Sequence, residues 1–208
     1  MRPVRLQWVS GTKQAGWAAE EAIMSTVMSE LRQDHSNVRE ILGLLSRQLD
    51  AVSDASGGDF ELMRDIMIYM TRYPDHTHHP KEDLMFERMR ERGVSPDTEF
   101  TIAKLLREHV ALAEKGNIFR DMLIGVVDGA MVERDTLVAT GRDYVEFLAY
   151  HARLEDETVF LEAEKLLDDA DWTVVRKAFE AQVDPIFGPV VALEFDSLHD
   201  HIRNTAES

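Results

Sequence analysis

His76-Thr77-His78-His79-Pro80-Lys81-Glu82-Asp83, running on into Leu84-Met85-Phe86, sets three histidines and two carboxylates within about two turns of helix. On a helix, residues four apart lie on one face, one above the other, so His78 and Glu82 point the same way. An imidazole and a carboxylate held like that can share one metal ion or reach a second. The spacing recurs in Tyr150-His151-Ala152-Arg153-Leu154-Glu155. Two isolated histidines, His35 and His109, fall in the other two long helical stretches. The order along the chain is therefore His, His-x-x-x-Glu, His, His-x-x-x-Glu.

Working outward, the spacing of apolar residues predicts four long helices. Met28, Leu31, Val38, Leu42, Leu45 and Leu49 follow a 3–4 rhythm over about 25–52, with His35 on the same line. Asp59 is a good N-cap for a second helix. Its inward line is Phe60, Met63, Met67, Met70, His78, Glu82, Met85 and Met89. Pro74 and Pro80 interrupt that line and predict a kink or irregular turn near His76–Pro80. Ser95-Pro96-Asp97 is a start signal for the third helix, which carries Ile102, Leu105, His109, Leu112, Gly116, Phe119 and Leu123. The fourth runs over about 133–167, with Leu137, Gly141, Tyr144, Leu148, His151, Glu155 and Val159 inward. A shorter helix over about 170–182 and a last one over about 190–203 follow. The organisation expected is an N-terminal extension (1–24), a four-helix unit (25–167) and a C-terminal helical extension packed on it (168–208).

Short loops between long helices predict an all-α, up-down-up-down four-helix bundle with additional C-terminal helices. Antiparallel neighbours meet at equal distances from their shared loop. At about 1.5 Å of rise per residue, His35, His78, Glu82, His109, His151 and Glu155 all fall within about one turn of the same height. Taken singly, each of these histidines is most simply a hydrogen-bonded core residue. As a level set on core lines they form a candidate metal site, because unpaired imidazoles and carboxylates are costly to bury. His76 and His79 lie off the inward line and read as surface or supporting groups. His199 and His201 read as exposed tail residues, and Tyr69, Tyr73, Tyr144 and Tyr150 as packing.

Composition narrows the chemistry. The 208 residues carry a formal charge of −16, which argues against nucleic acid and anionic membranes as partners. There is no cysteine, so any metal must use nitrogen and oxygen ligands, as iron, manganese or zinc can. No apolar run approaches a membrane span and no signal peptide is evident, so a cytoplasmic location is expected.

At these residues the chain resembles the hemerythrin-like, or HHE cation-binding, family over about 28–167. His78-His79-Pro80-Lys81-Glu82-Asp83 is similar to that family's His-His-Pro-Lys-Glu-Glu segment, supported by Asp34-His35, Glu108-His109 and His151-x-x-x-Glu155. The resemblance implies a bundle holding two non-haem irons, oxo- or hydroxo-bridged. His35, His78, His109 and His151 would be terminal ligands, with Glu82 and Glu155 as bridges. The oxygen carriers of the family place two histidines one turn apart on the third helix. Here the neighbours of His109 at that spacing are Leu105 and Ala113. The set is instead similar to a four-His, two-Glu branch that includes iron–sulfur repair and iron-sensing proteins. The repair proteins often carry a Cys pair, which this chain lacks. The implied function is binding or sensing of O2, NO or iron, the alternative being a di-iron enzyme acting on peroxide or NO, or an iron donor. A homodimer is the oligomer left open.

Overall fold

A computed structural model of the chain describes residues 12–180 and 182–206. Part of the expected N-terminal extension, residues 1–11, lies outside the described residues. Helix α1 spans Thr12–Ser53, α2 Phe60–Met70, α3 His79–Arg92, α4 Pro96–Val127, α5 Arg134–Leu154, α6 Phe160–Leu166, α7 Asp169–Phe179 and α8 Asp196–Ala206. Two π-helical turns, Pro74–His78 and Glu155–Val159, join α2 to α3 and α5 to α6. Among the described residues there is no strand. The protein is an all-α, up-down-up-down bundle whose four columns are α1, α2–α3, α4 and α5–α6, with further helices at its C-terminal end. No described helix is long and apolar enough to cross a membrane.

The helices begin where local chemistry stops the chain from doing otherwise. Asp59 and Ser95 accept hydrogen bonds from the Leu62 and Thr98 amides, capping α2 and α4. Pro96 opens α4, where a missing N–H costs nothing. Pro80 lies in the first turn of α3 for the same reason and does not break it. The irregularity expected around His76 is the π turn, where the His79 amide bonds the Pro74 carbonyl five residues back. Helix α1 starts at Thr12, earlier than the apolar rhythm indicated. Ala15, Ala18, Ala19 and Ala22 are strong helix formers that need no apolar stripe. The last helix starts at Asp196 after a short 3-10 turn, Leu193–Phe195, later than expected.

Two apolar clusters fill the bundle. One gathers Leu42, Leu45, Leu49, Met63, Met67, Phe119, Leu123 and Leu148 among others. The second gathers Met28, Leu31, Met85, Met89, Ile102, Leu105, Phe160 and Trp172 among others. Each column passes from one to the other through a polar step: His35 between Leu31 and Val38, His78–Glu82 between Met70 and Met85, His109 between Leu105 and Leu112, His151–Glu155 between Leu148 and Val159. The helices approach closely near Gly141, where a Cβ would lie 2.7 Å from both Leu49 Cδ2 and Phe119 Cζ. Helix α7 packs on α1 and α3. Buried Asp171 holds it there, accepting from Arg88 Nε and Nη2 at 2.9 and 2.6 Å and from Arg92 Nε at 2.8 Å.

Candidate metal centre

The six residues expected to meet do meet. His35, His78, Glu82, His109, His151 and Glu155 are all buried, both glutamates at 0% exposure. The Nε2 atoms of the four histidines face the two carboxylates. Glu82 Oε1 lies 3.2 Å from His78 Nε2 and 3.5 Å from His35 Nε2, while its Oε2 lies 3.5 Å from His109 Nε2. Glu155 divides the other way: Oε2 is 3.4 Å from His35 Nε2, and Oε1 is 3.3 Å from His109 Nε2 and 3.2 Å from His151 Nε2. Each carboxylate thus offers one oxygen to His35, joined by His78 for Glu82, and the other to His109, joined by His151 for Glu155. Donors side by side on one six-coordinate ion would be about 3.0 Å apart, given bonds of about 2.1 Å.

The opposite edge of every ring is held. His35 Nδ1 meets Asp156 Oδ1 at 3.0 Å and His78 Nδ1 meets Asp34 Oδ2 at 3.1 Å. His109 Nδ1 meets Asp83 Oδ1 at 2.7 Å and His151 Nδ1 meets Glu108 Oε2 at 3.0 Å. A carboxylate on Nδ1 fixes the ring's tilt and turns the Nε2 lone pair inward, the arrangement that metal-bound histidines use. The inward atoms lack partners of their own. Both oxygens of Glu82, Oε2 of Glu155 and Nε2 of His151 are buried with no hydrogen-bond partner. Leaving such atoms unpaired is expensive in a protein interior, and cations bound between the imidazoles and carboxylates would satisfy them. The donor set, imidazole nitrogen and carboxylate oxygen, suits iron, manganese or zinc. Two groups have the spacing to hold an ion, His35–His78–Glu82 and His79–Glu82–His109–His151.

A model of the hemerythrin HHE cation binding domain matches residues 26–163. The chain belongs to that family. Comparison with curated proteins and with solved structures returned no significant match. As a hemerythrin-like domain the protein is a cation binder, and the buried His/Glu groups are the residues able to hold the cation.

The electrostatics of this hemerythrin-like centre favour positive charge. Burial pulls each imidazole pKa down, but the carboxylates around it more than reverse this. His78, beside Glu82 and Asp34, rises to about 9, and His109, bonded to Asp83 and Glu155, to about 10. His35 and His151 shift the same way. Burial pushes the two glutamates up, and the charge of Glu155 adds to this at Glu82, yet the surrounding histidines hold both well below the usual carboxylate range. The buried carboxylates thus favour the protonated form of the surrounding imidazoles, and metal binding, which needs the neutral ring, competes with those protons.

His79 departs from the expectation that it lies off the inward line. It is buried, its ring stacks on His109 at 4.4 Å, and it meets the edge of His151 at 5.9 Å. The reason is the width of the buried face of α3. His79 is three residues before Glu82 and seven before Phe86, so all three share a side, and that spacing was present in the sequence. Its Nδ1 faces Asp75 at 3.4 Å, one turn back in the π segment. His76 is exposed, as expected. His201 is exposed on α8, and His199 is half-buried there.

The orienting acids Asp34, Asp83, Glu108 and Asp156 were not singled out by spacing. Their signal is that each is the immediate sequence neighbour of a site residue. The tyrosines stay out of the ring of donors: Tyr69 donates to Asp184 at 2.8 Å, and Tyr150 accepts from Lys104 at 2.9 Å. A polar cleft of about 730 Å³ between α1 and the C-terminal segment is lined in part by Glu30, Tyr73, Lys81, Asp184 and Asp34, the acid that meets His78 Nδ1.

Proposed function

We propose that the protein holds a carboxylate-bridged pair of non-haem irons and uses it to bind or sense a small molecule, O2 or NO, or iron itself. His35 and His78 serve one position, His109 and His151 the other, and Glu82 and Glu155 span both. One observation carries this reading. Each buried glutamate directs its two oxygens to different histidines, a division that one ion would not require and two would. Bound iron would supply open coordination positions and redox chemistry. The chain's own contribution is to orient the imidazoles through their Nδ1 carboxylates, to exclude bulk water, and to admit only small ligands to a buried layer. With two imidazoles and two carboxylate oxygens, each position is left short of six-coordinate, which favours NO, peroxide or iron traffic over simple O2 carriage. A cytoplasmic protein is part of this reading.

The test is metal content per chain on protein from iron-replete cells, with optical spectra before and after NO and peroxide. The reading expects about two irons per chain, an iron charge-transfer band and a stoichiometric response to one reagent. No metal, or one zinc, overturns the di-iron reading. Sustained consumption of peroxide or NO overturns the binding reading in favour of an enzyme.

A further inference from the structure

The centre has an internal twofold pattern. Asp34-His35 on α1 and His78-x-x-x-Glu82-Asp83 on α3 correspond to Glu108-His109 on α4 and His151-x-x-x-Glu155-Asp156 on α5 and its π turn. Partners correspond too: Asp34 holds His78 as Glu108 holds His151, and Asp83 holds His109 as Asp156 holds His35. One position breaks the pattern. The residue after His78 is His79, whereas the residue after His151 is Ala152, buried and without a donor atom.

We propose that His79 is a third histidine ligand at the His109/His151 position, making the centre asymmetric, three imidazoles on one side and two on the other. This rests on the di-iron reading above. A donor atom of His79 lies within 4.8 Å of donors on Glu82, His109 and His151. Ligands on one six-coordinate ion are about 3.0 Å apart side by side and about 4.2 Å apart across it, so four donors within 4.8 Å of one another are close enough to share an ion. The ring is oriented as the other four are, with a carboxylate, Asp75, at 3.4 Å on Nδ1. The parallel stack on His109, 4.4 Å between centroids and 16° between planes, brings the two rings to the same place. His35 has instead an apolar ring, Phe160, stacked at 5.2 Å.

The consequence is a division of labour. The His109/His151 position gains a ligand and becomes nearly saturated. The His35/His78 position would keep fewer protein ligands, and the acid that orients His78, Asp34, lines the polar cleft. An incoming small ligand is thereby directed to one metal of the pair.

Iron-57 Mössbauer spectra of the loaded full chain test this, comparing wild type with His79→Gln, which keeps bulk and a hydrogen bond to Asp75. The expected wild-type result is two unequal doublets of equal area. In His79→Gln one doublet shifts while the other stays, and one of the two irons passes to a chelator at least about tenfold faster. Unchanged doublets overturn the proposal, and so does equal loss of both irons, which would mark His79 as a packing residue. If His79→Gln does not fold, Asp75→Asn frees the ring without altering the bulk of the site and is read the same way. Fewer than two irons in wild type would remove the di-iron reading, and this inference with it, before any variant is made.

Discussion

His151→Ala is the sharpest perturbation of the centre. His151 is 1% exposed, its Nε2 stands 3.2 Å from Glu155 Oε1, and no hydrogen bond occupies that nitrogen. Its other edge is bonded to Glu108 at 3.0 Å, and Glu108 retains Lys104 at 3.4 Å when the ring is removed. The charge left behind is therefore still paired, and the main loss is a metal ligand. Loss of a group that merely orients a ligand lowers metal affinity about 10–100-fold. Loss of the ligand itself should reach at least the upper end, about 2.7 kcal/mol at one position. The His35/His78 position keeps both imidazoles and both carboxylates. After dialysis against a chelator of intermediate strength, His151→Ala should hold about one metal per chain by elemental analysis, against about two for wild type. His199→Ala, on the remote α8, is the control and should match wild type. Equal metal content in His151→Ala and His199→Ala would refute the ligand assignment.

Three further outcomes follow from the geometry of the bundle. Chelation should lower Tm: at free metal about 1,000 times Kd, linkage supplies about 4 kcal/mol, which in a chain of 208 residues is about 9 °C by calorimetry; an unchanged Tm would mean that the buried donors are satisfied without metal. Asp83→Asn should weaken the His109 side and Asp156→Asn the His35 side, each by about tenfold in one of two metal-binding steps seen by titration calorimetry; identical titrations would show that the Nδ1 contacts do not reach the metals. Asp171→Asn should cost about 2 kcal/mol in urea unfolding, because Arg88 and Arg92 lose a charged acceptor. Burial raises the Asp171 pKa, but the two arginines lower it further, so its folded value lies below normal. That contribution is present above the unfolded pKa of about 3.9 and disappears as pH falls through the folded value, so the gap between Asp171→Asn and wild type should close in acid; a constant gap would assign the effect to packing.

The parts of the centre legible in the sequence were those lying on regular helical lines. His35, His78, His109 and His151 fall in step with leucines and methionines, and equal distances from the loops put them at one height. What could not be read were features without a compositional mark. A π turn needs only one wider hydrogen bond, and nothing in Glu155-Asp156-Glu157-Thr158-Val159 announces it. A single inward line through His78 and Glu82 leaves His79 outside it, whereas the buried face of α3 also takes in His79 and Phe86. The Nδ1 carboxylates were hidden for another reason: Asp156 and His35 are 121 residues apart, and only the docked bundle shows which acid faces which ring.

Those hidden contacts explain how four helices come to share one site. Asp34 and Glu108 each orient a histidine within their own half of the chain, while Asp83 and Asp156 each cross to the other half. Every column therefore carries a donor and also the group that aims a donor on a different column. Adjacent residues on a helix point about 100° apart, so Glu155 can face the centre while Asp156 turns to α1, where Arg39 holds it at 3.0 Å. Displacing any one column misaligns its own ligand and one belonging to another. The polar layer lies between two apolar clusters that are each built from several columns, so its geometry is set by the same packing that closes the bundle. A cation that binds only the assembled layer therefore stabilises all four columns together.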